Sequence, residues 1–187
     1  SSVSRNLFPR PSVLCSEPGK ERPPLEQTVH QQLTAFIVDH QEDFYRLAYS
    51  HVKNRDAALD VVQESIVKAL SKADGLRRSE SLKPWFYRIL VNESMNYYRY
   101  TRRLTPLEEA PETAAPAGDH AARLDLYAAI DRLDQKEQLI IRLRFFEDMK
   151  LEEIAQVTGV NLNTVKSRLY KALRKLRDLT GEEHLYD

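Results

Sequence analysis

The sequence predicts an all-α protein of two small helical domains joined by a flexible acidic linker. Three observations predict it. Apolar residues recur at three- and four-residue steps after Leu25, and no stretch shows a convincing strand pattern. One segment, "TPLEEAPETAAPAGDH", holds Pro, Ala, Gly and acids with almost nothing large and apolar, so it cannot bury enough surface to offset its ordering entropy. Finally, the 28 basic and 28 acidic residues cancel only as a sum. Residues 77–103 hold seven bases and two acids, residues 161–177 hold six bases and no acid, and residues 104–122 hold four acids and no Lys or Arg.

Residues 1–27 are rich in Ser and Pro and lack a hydrophobic stretch suited to a secretory signal; they read as a disordered leader or a cloning remnant. Residues 28–103 form the first domain. Leu33, Phe36, Ile37, Phe44, Leu47, Ala48 and Val52 make one apolar stripe, which "KNRD" breaks. Ala58, Leu59, Val62, Ile66, Ala69 and Leu70 make the next. "SKADGLRRSES" reads as a loop, and Pro84 suits the first turn of a further helix with Trp85, Phe86 and Ile89 assigned to the core. Residues 104–121 are the linker. Residues 122–181 form the second domain, with Leu124, Leu126, Ile130 and Leu133, then Leu139, Ile140, Leu143 and Phe146, as apolar positions. Residues 182–187 are a tail.

The second domain ends in "LEEIAQVTGVNLNTVKSRLYKALRKL". Leu151, Ile154, Ala155 and Val157 give a short helix one apolar face, and the small Ala155 lets a second helix cross close. Gly159 falls where a turn needs positive φ, and Asn161, Asn163 and Thr164 are capping residue types. Val165, Leu169, Ala172, Leu173 and Leu176 form the buried stripe of the second helix, which carries no acid. This is the pattern of a helix-turn-helix whose recognition helix enters a major groove. Asn163, Thr164, Lys166 and Ser167 are best placed for base edges, and Arg168, Lys171 and Arg174 for phosphates or bases. The competing reading is a helical hairpin with a solvated basic face.

The helix "KPWFYRILVNESMNYYRYTRR" brings a second cationic surface. Tyr87, Arg88, Asn92, Tyr97, Tyr98, Arg99 and Tyr100 lie along it, with Arg77 and Arg78 in the preceding loop. Aromatic rings that stack on unpaired bases, and cations that follow a backbone, are what single-strand binding requires.

Other function classes find little support. Cys15 is the only cysteine, which excludes an intrachain disulfide and fits a reducing cytoplasm. No apolar run approaches a membrane span. The five His residues match no metal-ligand spacing, no phosphate-binding Gly loop occurs, and no acid pair suits general acid–base work, so neither metal, cofactor nor catalytic residue is expected. A stand-alone helix-turn-helix transcription regulator remains the alternative, although the first domain offers no coiled-coil seam for dimerisation.

Four stretches together resemble one family. "DFYRLAYSHVKNRDAALDVVQESIVKAL", "PWFYRILVNESMNYYRYTRR", "AIDRLDQKEQLIIRLRFFEDMKLEEIA" and "TVKSRLYKALRKLR" are similar, in this order, to bacterial RNA polymerase sigma factors of the extracytoplasmic-function class, group four of the sigma-70 family, with finer likeness to the sigma-V-like branch. The resemblance implies region 2 and region 4 as the two domains. It implies that Asp60, Gln63 and Glu64, the "DxxQE" element, bind the β′ clamp helices of core RNA polymerase, whose β subunit is a further contact. It implies that Arg77, Arg78, Arg88, Asn92, Tyr97, Arg99, Arg102 and Arg103 engage the −10 element with a base flipped from the non-template strand, and that the recognition helix reads the −35 duplex. It further implies promoter DNA as a partner, a cell-envelope stress response, and control by an anti-sigma factor anchored in the membrane. One departure stands out: where the family has Pro after the position of Leu133, this chain has Asp134, which weakens the expected helix start.

Overall fold

A computed structural model describes residues 28–76, 82–104 and 121–180. The expected leader, the acidic linker and the tail lie outside the described residues, as do Arg77 and Arg78. Among the described residues there are helices and no strands: α1 Val29–Asp39, α2 Gln41–Val52, α3 Arg55–Lys72, α4 Leu82–Leu104, α5 Ala121–Asp131, α6 Gln135–Ile141, α7 Leu151–Thr158 and α8 Leu162–Thr180. A 3₁₀ turn, Ala73–Gly75, follows α3, and one π-helical turn, Arg142–Phe146, follows α6.

Local chemistry sets the boundaries. Thr28 opens α1 with reciprocal bonds, the Gln31 N–H donating to its hydroxyl and its own N–H donating to Gln31 Oε1. Asn54 caps α3 by accepting from the Ala57 N–H at 2.9 Å. The single stripe read through residues 33–52 is in fact two helices. The chain bends at His40, whose N–H closes α1 on Phe36 and Ile37 while its C=O starts α2 by accepting from Phe44. Lys53 ends α2 in the left-handed conformation, φ 54°.

The first domain packs α2, α3 and α4 around Phe44, Phe86 and Tyr87, whose rings meet at 4.3 to 5.4 Å. On α3 the expected Ala58, Val62 and Ala69 are buried and Ile66 packs against the core, but two expected positions are not. Ala57, Ala58, Val61, Val62, Ser65 and Ala69 face inward, while Leu59 and Leu70 are exposed. Small residues win the interior because α3 lies closely between α2 and α4. In the second domain Ile130, Leu133, Leu139, Ile140, Ile141, Leu143 and Met149 are buried, but Phe146 is exposed. The π turn explains it: its wider hydrogen-bond spacing, seen in Glu147 N–H to Arg142 C=O at 3.2 Å, rotates the following residues away from the α-helical phase. Asp134 starts α6 despite the missing Pro, its N–H donating to Glu137.

The domains share one hydrophobic core. α4 packs directly on α7 of the second domain, and buried residues run without a break from Leu33 to Leu176.

Candidate nucleic-acid and polymerase interface

Gly159 makes the turn between α7 and α8 with φ +70°, and its N–H closes α7 on the Ala155 C=O at 2.9 Å. No atom lies within 4 Å of where its Cβ would stand, so the need for glycine here is conformational. Asn161 caps α8 by accepting from the Thr164 N–H at 2.8 Å. Asn163 and Thr164 therefore sit inside the first turn, the first turned outward and the second half-buried. Val165, Leu169, Ala172 and Leu176 face the core, with Leu173 partly buried. That leaves Asn163, Lys166, Ser167, Tyr170, Lys171 and Arg174 exposed, with Arg168 half-buried. The Ser167 hydroxyl donates to the Thr164 C=O at 3.1 Å and keeps its acceptor lone pairs outward.

An anchor that sequence reading missed holds this helix. Glu137 of α6 is buried and accepts from Lys175 Nζ at 3.0 and 2.7 Å, with Lys171 Nζ at 3.5 Å. Burial alone pushes the Glu137 carboxyl up. The Lys175 and Asp134 N–H hydrogen bonds and the two lysine charges outweigh that, and hold it below the usual carboxylate range. Lys171 thus divides its charge between Glu137 and solvent.

The helix α4 presents a second surface. At about 100° per residue, Arg88, Asn92, Arg99 and Arg103 share one strip, which Asn96 joins; all five are exposed. Asn96 escaped sequence reading because amides are unremarkable on a helix surface. Arg102 and Tyr100 flank the strip and are exposed, Tyr100 by 63%. Two expected contributors are placed elsewhere. Tyr87 is fully buried, its hydroxyl donating to Glu147 of the second domain. Tyr97 lies half-buried against the core, on the side of α4 opposite Arg88. Ring size explains both: at inward positions these aromatics contribute more by filling the core than by facing water.

The third surface is on α3. Asp60, Gln63 and Glu64 are exposed together with Leu59 (45%), Val67 (62%) and Leu70 (38%), so carboxylates and apolar side chains share one face. Lys68 ties this helix to α4: its Nζ lies 2.7 Å from Glu93 and 3.2 Å from Glu64. The Glu93 hydrogen bond in particular holds the ammonium above its ordinary range.

The chain is similar to known proteins in sequence and fold. Residues 36–104 match the family model for sigma-70 region 2, and residues 123–176 that for sigma-70 region 4. The RNA polymerase sigma factor SigV of Bacillus subtilis is 48% identical over 161 residues, spanning 84% of this chain and 97% of that protein. The extracytoplasmic-function sigma factor SigW of the same organism is 28% identical over 80% of this chain and 91% of its own length. Among solved structures, RpoE of Bartonella quintana in complex with the anti-sigma factor NepR superposes with a TM-score of 0.69 at 24% identity, covering 81% of this chain and 98% of that one. CnrH in complex with the cytosolic domain of CnrY gives 0.58 at 24% identity, covering 81% and 88%.

Proposed function

The chain belongs to the sigma-70 family, within its extracytoplasmic-function class, and from that membership we propose a division of labour among its three exposed faces. It is a promoter-specificity factor, a non-catalytic subunit of transcription initiation under anti-sigma control. The α3 face of Asp60, Gln63 and Glu64, with Leu59, Val67 and Leu70 around them, docks on core RNA polymerase. Carboxylates select a basic partner surface, and the apolar residues supply area to bury. The α4 strip of Arg88, Asn92, Arg99, Arg102 and Arg103, with Arg77 and Arg78 before it, takes the unpaired −10 strand. Cations offset the few kcal/mol lost when a base leaves its stack. Asn163, Thr164, Lys166, Ser167, Arg168, Lys171 and Arg174 on or at the start of α8 read the −35 duplex.

The observation that carries this reading is the segregation of surface chemistry: a cationic face on α8 free of acid from Asn161 to Arg177, a cation-and-amide strip on α4, and an acidic-apolar face on α3. One structural neighbour is a complex with an anti-sigma factor, which supports control by such a partner here; a membrane-anchored one fits a response to envelope stress.

Run-off transcription with purified bacterial core polymerase tests the reading. Specific transcripts are expected, and they vanish in the triple variant Asp60→Ala, Gln63→Ala, Glu64→Ala. Salt-sensitive duplex binding without any polymerase-dependent transcript would instead establish a stand-alone regulator.

A further inference from the structure

The six bases of α8 between Asn161 and Arg177 are not equally free to meet DNA. Two of them, Lys171 and Lys175, converge on one carboxylate, Glu137 of α6, at 3.5 and 2.7 Å. Positions four apart step about 40° round a helix. Ser167, Lys171 and Lys175 therefore run from the outward strip of α8 toward α6, and Lys171 stands where the two meet. Its side chain is 66% exposed, against 43% for Lys175 and 4% for Glu137.

We propose that Glu137 is a specificity-determining residue of the −35 contact, although it sits on α6 and not on the recognition helix. By holding Lys171 and Lys175 it withholds cations from phosphate, so that sequence-blind binding is kept weak and base contacts decide where α8 settles. The inference rests on reading α8 as the −35 contact. Sequence-blind affinity for duplex comes almost wholly from cations on phosphates. A helix free to slide can bring any spare cation onto a phosphate, whereas a helix fixed in register by base edges cannot. A spare cation therefore strengthens wrong sites more than the right one.

Burial is what lets Glu137 keep its lysines against a competing phosphate. A carboxylate stripped of both partners inside the protein is left as an uncompensated charge, a costly state. The grip is graded. Lys175 donates to both carboxylate oxygens, at 3.0 and 2.7 Å, and is firmly held. Lys171, farther off and more exposed, is restrained without being buried. The two lysines are one helical turn apart, where like charges repel, and the carboxylate between them lets them stand together.

The test uses holoenzyme reconstituted from core polymerase and wild-type or variant chain, on two duplexes. One is a sequence that the wild-type holoenzyme enriches from a randomised −35 pool, and the other is its scrambled control. Fluorescence anisotropy follows binding across a range of salt. Glu137→Gln keeps the shape and an acceptor oxygen but removes the charge. It should bind the scrambled duplex at least threefold more tightly, with a log–log salt slope steeper by about 0.9, the share of one added phosphate contact. The enriched-to-scrambled affinity ratio should fall at least threefold. In a Lys171→Gln, Lys175→Gln background the same Glu137→Gln change should move neither slope nor ratio. Ile140→Val loosens the buried side of α6 without touching a charge, and it too should leave both at their wild-type values. An unmoved slope and ratio in Glu137→Gln overturns the proposal, as does the same shift in the background lacking both lysines or in Ile140→Val. If the wild-type holoenzyme enriches no sequence, the reading of α8 as the −35 contact falls and the proposal with it; enrichment with an unmoved Glu137→Gln sinks the proposal alone.

Discussion

Lys175 Nζ and Glu137 Oε2 stand 2.7 Å apart, joining α8 to α6 within the second domain. Because the carboxyl is held below its ordinary value, the pair contributes stability that is present above that value and lost as pH falls through the depressed one. Glu137→Gln should cost about 1–3 kcal/mol at neutral pH, the usual cost of removing a charged partner from a buried hydrogen bond. Thermal unfolding followed against pH should show that the gap to wild type closes in acid.

Gly159→Ala should lose about 1–2 kcal/mol, the cost of a Cβ in the left-handed region. Since open space surrounds that position, Gly159→Asn should lose less. Urea midpoints of the two variants decide it: equal losses would mean that something other than φ matters.

Phosphate contacts release counterions, so each one lost lowers the log–log salt slope of duplex binding by about 0.9. Arg168→Ala and Arg174→Ala should each do so, measured by fluorescence anisotropy between low and physiological salt. Lys136→Ala, an exposed cation on α6, should leave the slope unchanged.

Val67→Asp and Leu59→Asp place charges in an exposed apolar setting on α3. They should shift folding stability by less than about 0.5 kcal/mol and yet weaken core polymerase binding by about tenfold, or 1.4 kcal/mol. Titration of labelled chain with core enzyme reads the affinity, and calorimetry the stability.

Burial, with the Asp43 charge, pushes the Glu147 carboxyl up, against the Tyr87 hydrogen bond and the charges of Lys83 and Arg46. Its protonated form therefore favours the folded chain. That contribution is fully present below the ordinary carboxylate range and is lost as pH rises through the elevated value. The wild-type unfolding temperature should fall over that interval. Glu147→Gln mimics the protonated acid, and its stability should stay flat across the same interval.

The parts of the molecule that were legible in the sequence are those governed by near neighbours. The α7–α8 motif needed only Gly159, Asn161 and two apolar stripes, each acting within a few residues. Helix interiors were harder. Leu59 and Leu70 looked like core because they are apolar, but a large apolar side chain is often exposed, and helix crowding gave the interior to Ala57, Val61 and Ser65. Phe146 was misplaced because a π turn leaves no periodic trace in a window of a few residues. Glu137, Glu147 and Asp131 act on partners 38, 60 and 78 residues away, which local pattern cannot reveal.

The π turn at Arg142–Phe146 accommodates one residue more than an α-helical turn would. In genetic terms, loss of a single codon there would leave an unbroken helix and the reading frame intact. Because the wide turn absorbs the extra residue, Glu147 and the helices beyond it would keep their facing. Such a lineage would lose one residue and keep both folded modules in the same mutual register.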